Sequence, residues 1–213
     1  MRKIVPIVFF VMLFMTSCIE IVEEINVKPD LSGSITYRIK SDQFTSLFSS
    51  LSGMFDQNIL KEQLTERFEK FAMKYKNNKH IKNVKFIIGD NITDASLSFD
   101  FSSTKELNLA LYEIAGSKKS FFAPSYLKIS KHKLKKFNIA PYLKKSLKQQ
   151  DIILPEEFMD MIEIKSIYNL PKSIKSAKGE TVILTEQGKS ATQVFKFKDV
   201  YENNVKTGIK IKY

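Results

Sequence analysis

An α+β fold, an antiparallel sheet with helices packed on one face, is predicted by three features of the chain. Period-two apolar patterns come in adjacent pairs, helical patterns stand between those pairs, and no strand–helix–strand rhythm of a parallel sheet recurs. A length of 213 residues with 43% hydrophobic and 27% charged residues suits a globular chain that buries a core, and excludes a disordered one.

The first strand follows from Ile19, Ile21, Ile25 and Val27, which share one phase, with Glu20, Glu24, Asn26 and Lys28 on the other. Pro29-Asp30-Leu31-Ser32-Gly33 is a turn cluster, and Ile35, Tyr37 and Ile39 complete a hairpin. Phe44, Leu47, Phe48 and Leu51 form the stripe of an amphipathic helix, interrupted at Ser52-Gly53. A longer helix carries Leu60, Leu64, Phe68, Phe71 and Tyr75 and ends at Asn77-Asn78. Val84, Phe86 and Ile88 predict a third strand, and Ala95, Leu97, Phe99 and Phe101 a fourth. Ser103 and Glu106 match a capping box that opens a helix through Leu107, Leu111 and Ile114. The order to that point is ββααββα.

The second half is strand-rich. Leu127 and Ile129 lie in phase, Pro141 and Pro155-Glu156-Glu157 mark two short helix starts, and Ile162, Ile164 and Tyr168 form a strand. Thr181 to Leu184 pairs with Val194 to Phe197 across Glu186-Gln187-Gly188-Lys189, and Ile209, Ile211 and Tyr213 end the chain. The expected organisation is a leader over 1–17 and one α+β domain over 18–213, with two lobes, 18–115 and 116–213, as the alternative division.

The leader is expected from its layout. Arg2 and Lys3 precede an apolar run from Ile4 to Met15. As a helix those residues rise about 18 Å, short of a hydrocarbon core of about 30 Å. A basic start, a short apolar stretch and small residues have the order of a secretory signal. Met15-Thr16-Ser17-Cys18 resembles the lipobox of bacterial lipoproteins, with Met15 in the place usually held by Leu. The resemblance implies a diacylglyceryl thioether on Cys18, cleavage before it, and acylation of the new amine by a chain of the palmitate class. Cys18 is the single cysteine of the chain, so no internal disulfide can form. Two or more acyl chains hold far more firmly than one, at roughly 0.8 kcal/mol per buried CH2. The expected location is the cell envelope, with the protein lipid-anchored to a membrane. Ile19 rather than Asp after the cysteine favours the outer one. No flexible tether follows Cys18, so the domain should sit close to the lipid.

Charge is uneven. Residues 18–113 hold 12 basic and 14 acidic side chains, whereas 114–213 hold 20 and 9. Residues 114–150 contain ten lysines and no acid. The candidate anion-binding residues are Lys131, Lys133, Lys135, Lys136, Lys144, Lys145 and Lys148, facing anionic lipid or an acidic protein. Lysines near an anionic surface contribute about 1 kcal/mol each. Ten in one stretch cannot all face one way, and a solvated face is the competing account. Nucleic acid is not an expected partner, because only Arg38 and Arg67 follow the leader and guanidinium readout needs arginine.

The sequence carries no recognisable catalytic, cofactor or metal motif. Gly188-Lys189-Ser190 has Ile183 where a phosphate-binding loop needs its first glycine, and Asp90, Asn91 and Asp94 miss the calcium-loop spacing. Glu23-Glu24 and Glu156-Glu157 are expected to be solvated or dipole-satisfying, and His80 and His132 to be isolated surface residues. The protein is thus expected to be non-enzymatic.

Pro29-Asp30-Leu31-Ser32-Gly33-Ser34 leading into Ile35-Thr36-Tyr37 resembles the start of uncharacterised envelope lipoproteins. Tyr168-Asn169-Leu170-Pro171-Lys172-Ser173-Ile174-Lys175 is similar to a proline-centred segment near the end of the LppM-type lipoprotein domain, without the Trp often found downstream. The resemblance implies an α+β lipoprotein domain with no catalytic residues to transfer, and it suggests lipid or glycolipid binding. The alternative function is therefore a carrier of an anionic amphiphile. Its sign would be an apolar cavity of several hundred Å3, open near residues 114–150.

Overall fold

Along Ile19–Val27 (β1) positions 19, 23, 25 and 27 of the apolar phase are buried, with Val22 the one buried residue of the other phase, and β1 becomes the middle strand of a seven-stranded sheet. The computed structural model describes residues 19–40, 57–89, 94–115, 125–149 and 156–213. Cys18, its leader and the stripe from Phe44 to Leu51 lie outside the described residues.

β1 pairs antiparallel with Gly33–Lys40 (β2), and the turn between them is closed by Ser32, whose N–H and hydroxyl both donate to the Asp30 carboxylate. Gln57–Tyr75 (α1) leads to Ile81–Ile87 (β3) and Ser96–Phe101 (β4), which pair with each other, and β4 pairs with β2. Thr104–Ile114 (α2) starts where the capping pattern predicts, with the Ser103 hydroxyl accepting from the Glu106 N–H at 3.3 Å. Ser103→Ala is expected to lower stability by about 1 kcal/mol in urea unfolding. An unchanged midpoint would mean that water replaces this cap.

Leu127–Ser130 (β5) and Lys133–Lys136 (β6) form a hairpin in the stretch where the pattern gave only one strand. Ala140–Gln149 (α3) and Glu156–Asp160 (α4) are the two helices announced by proline. Ile162–Asn169 (β7), Ser176–Lys178 (β8), Val182–Leu184 (β9), Ser190–Lys196 (β10), Phe197–Glu202 (α5) and Ile209–Lys212 (β11) complete the described chain.

The class is α+β. The large sheet has the order β3-β4-β2-β1-β7-β10-β9, and a smaller sheet has the order β5-β6-β11-β8. The expectation of a wholly antiparallel sheet needs correction at one pair, because β7 lies parallel to β1 with Ile19 opposite Ile162 and Ile25 opposite Tyr168. Hairpins join β1 to β2 and β9 to β10. The long connection from β2 to β7 lets two strands run the same way.

One face of the large sheet carries Ile25, Ile35, Phe99 and Tyr168, buried with Phe71 and Tyr75 of α1, Leu107 of α2, and Leu127, Leu134 and Ile211 of the smaller sheet. Closer to the amino-terminal end of β1, Ile19 and Ile162 are buried with Met159 of α4 and Phe197 of α5. Helices and the small sheet therefore cover one face. The opposite face is polar, with Arg38 bound to Glu24 at 2.6 Å and Lys165 to Glu20 at 2.9 Å.

Candidate functional site

Two clusters of charged side chains emerge from this architecture, one sealed between the sheets and one displayed on the surface.

The sealed cluster is centred on Glu23. Position 23 lies in the apolar phase of β1, so its carboxylate points at the smaller sheet and is 4% exposed. The expectation of a solvated Glu23 is thereby corrected. One carboxylate oxygen accepts from the hydroxyls of Tyr37, at 2.9 Å, and Tyr126. The other accepts from the Lys136 ammonium at 2.5 Å and from the Ser166 hydroxyl at 3.2 Å. Lys136 also donates to Ser166 at 2.9 Å, and its charge lies 5.2 Å from the centre of the Tyr126 ring. One strand further on, Tyr168 donates to Gln193 at 3.0 Å.

Burial pushes the Glu23 carboxyl up, but the Lys136 charge and the hydrogen bonds from Lys136, Tyr126 and Tyr37 outweigh it and hold the group below its ordinary value. Burial likewise pushes Lys136 down, and the Glu23 charge more than reverses that, so the ammonium is held. Every oxygen and nitrogen of the pair has partners, which is what a buried charge requires. Ser, Lys, Glu and Tyr side chains at these distances would suit acid–base chemistry in an open cleft. Here Lys136 is also 4% exposed. The pair is sealed from solvent.

The displayed cluster arises from plain strand alternation. In β6 and β11 the sequences Lys133-Leu134-Lys135 and Ile209-Lys210-Ile211-Lys212 put leucine and isoleucine inside and lysine outside. Pairing then aligns the lysines. Lys135 lies opposite Lys128 on one side and Lys210 on the other, and Lys210 lies opposite Lys178. In the next row Lys133 lies opposite Lys212, flanked by Ser130 and Ser176. Among the described residues six lysines and two serines thus occupy one face of the small sheet, and no acidic residue shares it. Among the described residues no carboxylate forms an ion pair with any of the six.

Like charges directly opposite on adjacent strands are destabilising. The strain is visible at Lys210, whose ammonium is pushed toward losing its proton by Lys133 foremost, then by desolvation and by Lys212, Lys178 and Lys135. Phe137 offsets part of it, because Lys135 and Lys128 stand 4.4 and 5.6 Å from its ring centre. Beside the array a surface groove of about 330 Å3 is lined by Thr104, Lys128, Ile129, Ser130, Lys133 and Lys135.

Of the residues proposed from the sequence to bind anions, Lys133 and Lys135 join this face and Lys131 is exposed in the turn beside it. Lys136 is a correction. Leu127 and Ile209 oppose it in register, so it belongs to the inner face, and its charge is taken by Glu23. Lys144 lies apart on α3, 5.0 Å from the Tyr201 ring centre. Lys145 and Lys148 are in α3, but their side chains lie outside the described ones. Lys178, Lys210 and Lys212 were missed because they fall outside the acid-free stretch. The alternation at 209–212 is the local signal for Lys210 and Lys212. His80 shares a hydrogen bond with Ser102 at 2.9 Å, and His132 is exposed in the turn with Lys131. No group of metal-ligating side chains occurs among the described residues, and no helix among them is long and apolar enough to cross a membrane.

No family profile matches the sequence, and neither does any curated protein. Among solved structures the chain is distantly similar to the folded domain of LppM from Mycobacterium tuberculosis, determined by NMR. The TM-score is 0.43 at 12% identity, over 93% of this chain and 91% of that one.

Proposed function

We propose that this protein is a lipid-anchored lipoprotein of the bacterial envelope, acting without catalysis as a binding module that holds an anionic partner at the membrane surface. The observation that carries this reading is the position of the single cysteine. Cys18 closes the lipobox-like segment and directly precedes β1, whose first N–H, at Ile19, already donates to the Met161 carbonyl at 3.2 Å. An acyl chain on Cys18 would fix the amino-terminal end of β1 at the bilayer with no slack. The lysine array supplies the binding face. A second reading, a carrier of an anionic amphiphile, has the groove beside Ile129 in its favour. Against it, the space between the sheets is filled by Phe99, Tyr168, Leu134 and Ile211 and closed by the Glu23–Lys136 pair.

Cys18→Ala is expected to leave an uncleaved precursor without acyl chains and to move the protein out of the detergent-rich phase on phase partitioning. The mass of the amino-terminal peptide of the native protein checks the same point directly. A variant processed and retained like the parent would overturn the anchor.

A further inference from the structure

The lysine array and the amino-terminal end of β1 occupy different parts of the domain, and the direction of the small sheet shows how far apart they are. Lys136 meets Glu23, four residues along β1 from Ile19 and so roughly 13 Å from that end at about 3.3 Å per residue. From Lys136, β6 leads away from the anchored end. Ala140, four residues past Lys136, is buried with Phe195, whose register partner Ile164 lies beside Ile21, so it is the carboxy-terminal end of β6 that approaches the start of β1. The rows of Lys135 with Lys210 and of Lys133 with Lys212 therefore lie farther from Ile19 than Lys136 does. The charge of a membrane surface is screened within about 8–10 Å at ordinary ionic strength.

Laying the domain on its lysines does not remove the separation. The array faces away from the large sheet, about 10 Å beyond it. On that same side α4 and α5 cover Ile19 through Met159 and Phe197. A helix layer about 10 Å thick would hold Cys18 off any bilayer pressed against the lysines.

We infer that the lysine array binds an acidic polypeptide in the aqueous space, in trans to the leaflet that holds the anchor. The inference rests on the anchored reading above. Lysine pairs two residues apart in β6 and β11 repeat at about 6.7 Å, the interval at which an extended chain presents alternate carboxylates. The groove at Ile129 gives an apolar side chain of the same polypeptide a seat beside the charges.

The full acylated chain is reconstituted in neutral phosphatidylcholine vesicles, and co-flotation shows whether the anchor holds, independently of any peptide binding. The probe is a fluorescein-labelled peptide of alternating Glu and Val. Binding is expected, weakening by roughly tenfold or more from low to high salt, and disappearing when Lys133, Lys135, Lys210 and Lys212 are all replaced by Glu. Because four reversals could disturb folding, the milder pair Lys135→Gln and Lys210→Gln serves as the second variant. It is expected to melt at a higher temperature than the parent while binding the peptide less tightly, since it relieves like-charge repulsion. Phosphatidylglycerol placed in the protein's own vesicles should leave peptide affinity unchanged. Loss of peptide binding on that addition would put the array on its own leaflet and overturn the inference. Clustering of separate phosphatidylglycerol vesicles without peptide binding would overturn it in favour of a lipid surface, and absence of all binding would overturn it outright.

Discussion

Glu23→Ala is expected to destabilise the domain by about 3–5 kcal/mol, the usual consequence of removing one member of a buried ion pair. The substitution leaves the Lys136 ammonium charged and sealed, with Ser166 as its remaining close acceptor, and it strips the Tyr37 and Tyr126 hydroxyls of their shared oxygen. Lys136→Ala should be nearly as harmful for the mirror-image reason. The double variant Glu23→Leu with Lys136→Met separates charge from packing. Apolar replacements of buried pairs are often neutral, but here three hydroxyls would stay behind, each lost hydrogen bond costing about 1–3 kcal/mol. Partial recovery is therefore expected, and a double variant no better than Glu23→Ala would show that the charges are not coupled.

The same pair sets a pH window. Glu23 in the fold sits below its ordinary value of 4.5, so its contribution is present above that pH and fades as pH falls through the lowered value. Lys136 sits above 10.5, so its contribution is present below that pH and fades as pH rises through the raised value. Urea midpoints should show a plateau between these limits with a fall on both sides, and the double variant should flatten both shoulders.

Gly33→Ala is expected to cost more than about 3 kcal/mol, as strain with no room to relax does. A methyl group at Gly33 would stand 2.0 Å from the Asn26 carbonyl oxygen and 2.7 Å from Cζ of Phe101. The first contact is backbone within the β1–β2 hairpin, so the register itself would have to shift. The second displaces a ring that lies over the glycine from the next strand and is buried in the main core. A melting temperature within a degree or two of the parent would refute this.

Local patterns made most elements legible, because each rests on neighbours in the chain. The alternation of β1, the turn at Asp30, the cap at Ser103 and the final strand are where the residues put them. Glu23 is not legible as a buried group although its phase is visible, since a lone carboxylate among isoleucines is read by its charge unless a partner is known. That partner, Lys136, lies 113 residues away, and no spacing announces it. The lysine array shows the same boundary from the other side. Contiguity picked out residues 114–150, whereas the array is assembled by pairing β5 and β6 with β8 and β11. Counting lysines along the chain therefore included Lys136 and omitted Lys210.

The parallel pairing of β1 with β7 bears on how the chain acquires its shape. The middle strand of the large sheet is the first one made, yet its neighbour arrives 143 residues later. Until then β1 is the open edge of the antiparallel sheet β3-β4-β2-β1, because β4 and β3 join β2 within the first half of the chain. Closing so long a loop before any reward is slow. A chain delivered across a membrane from its amino terminus would spend that interval with this edge unpaired, so its passage calls for an escort that shields β1 until the last quarter emerges.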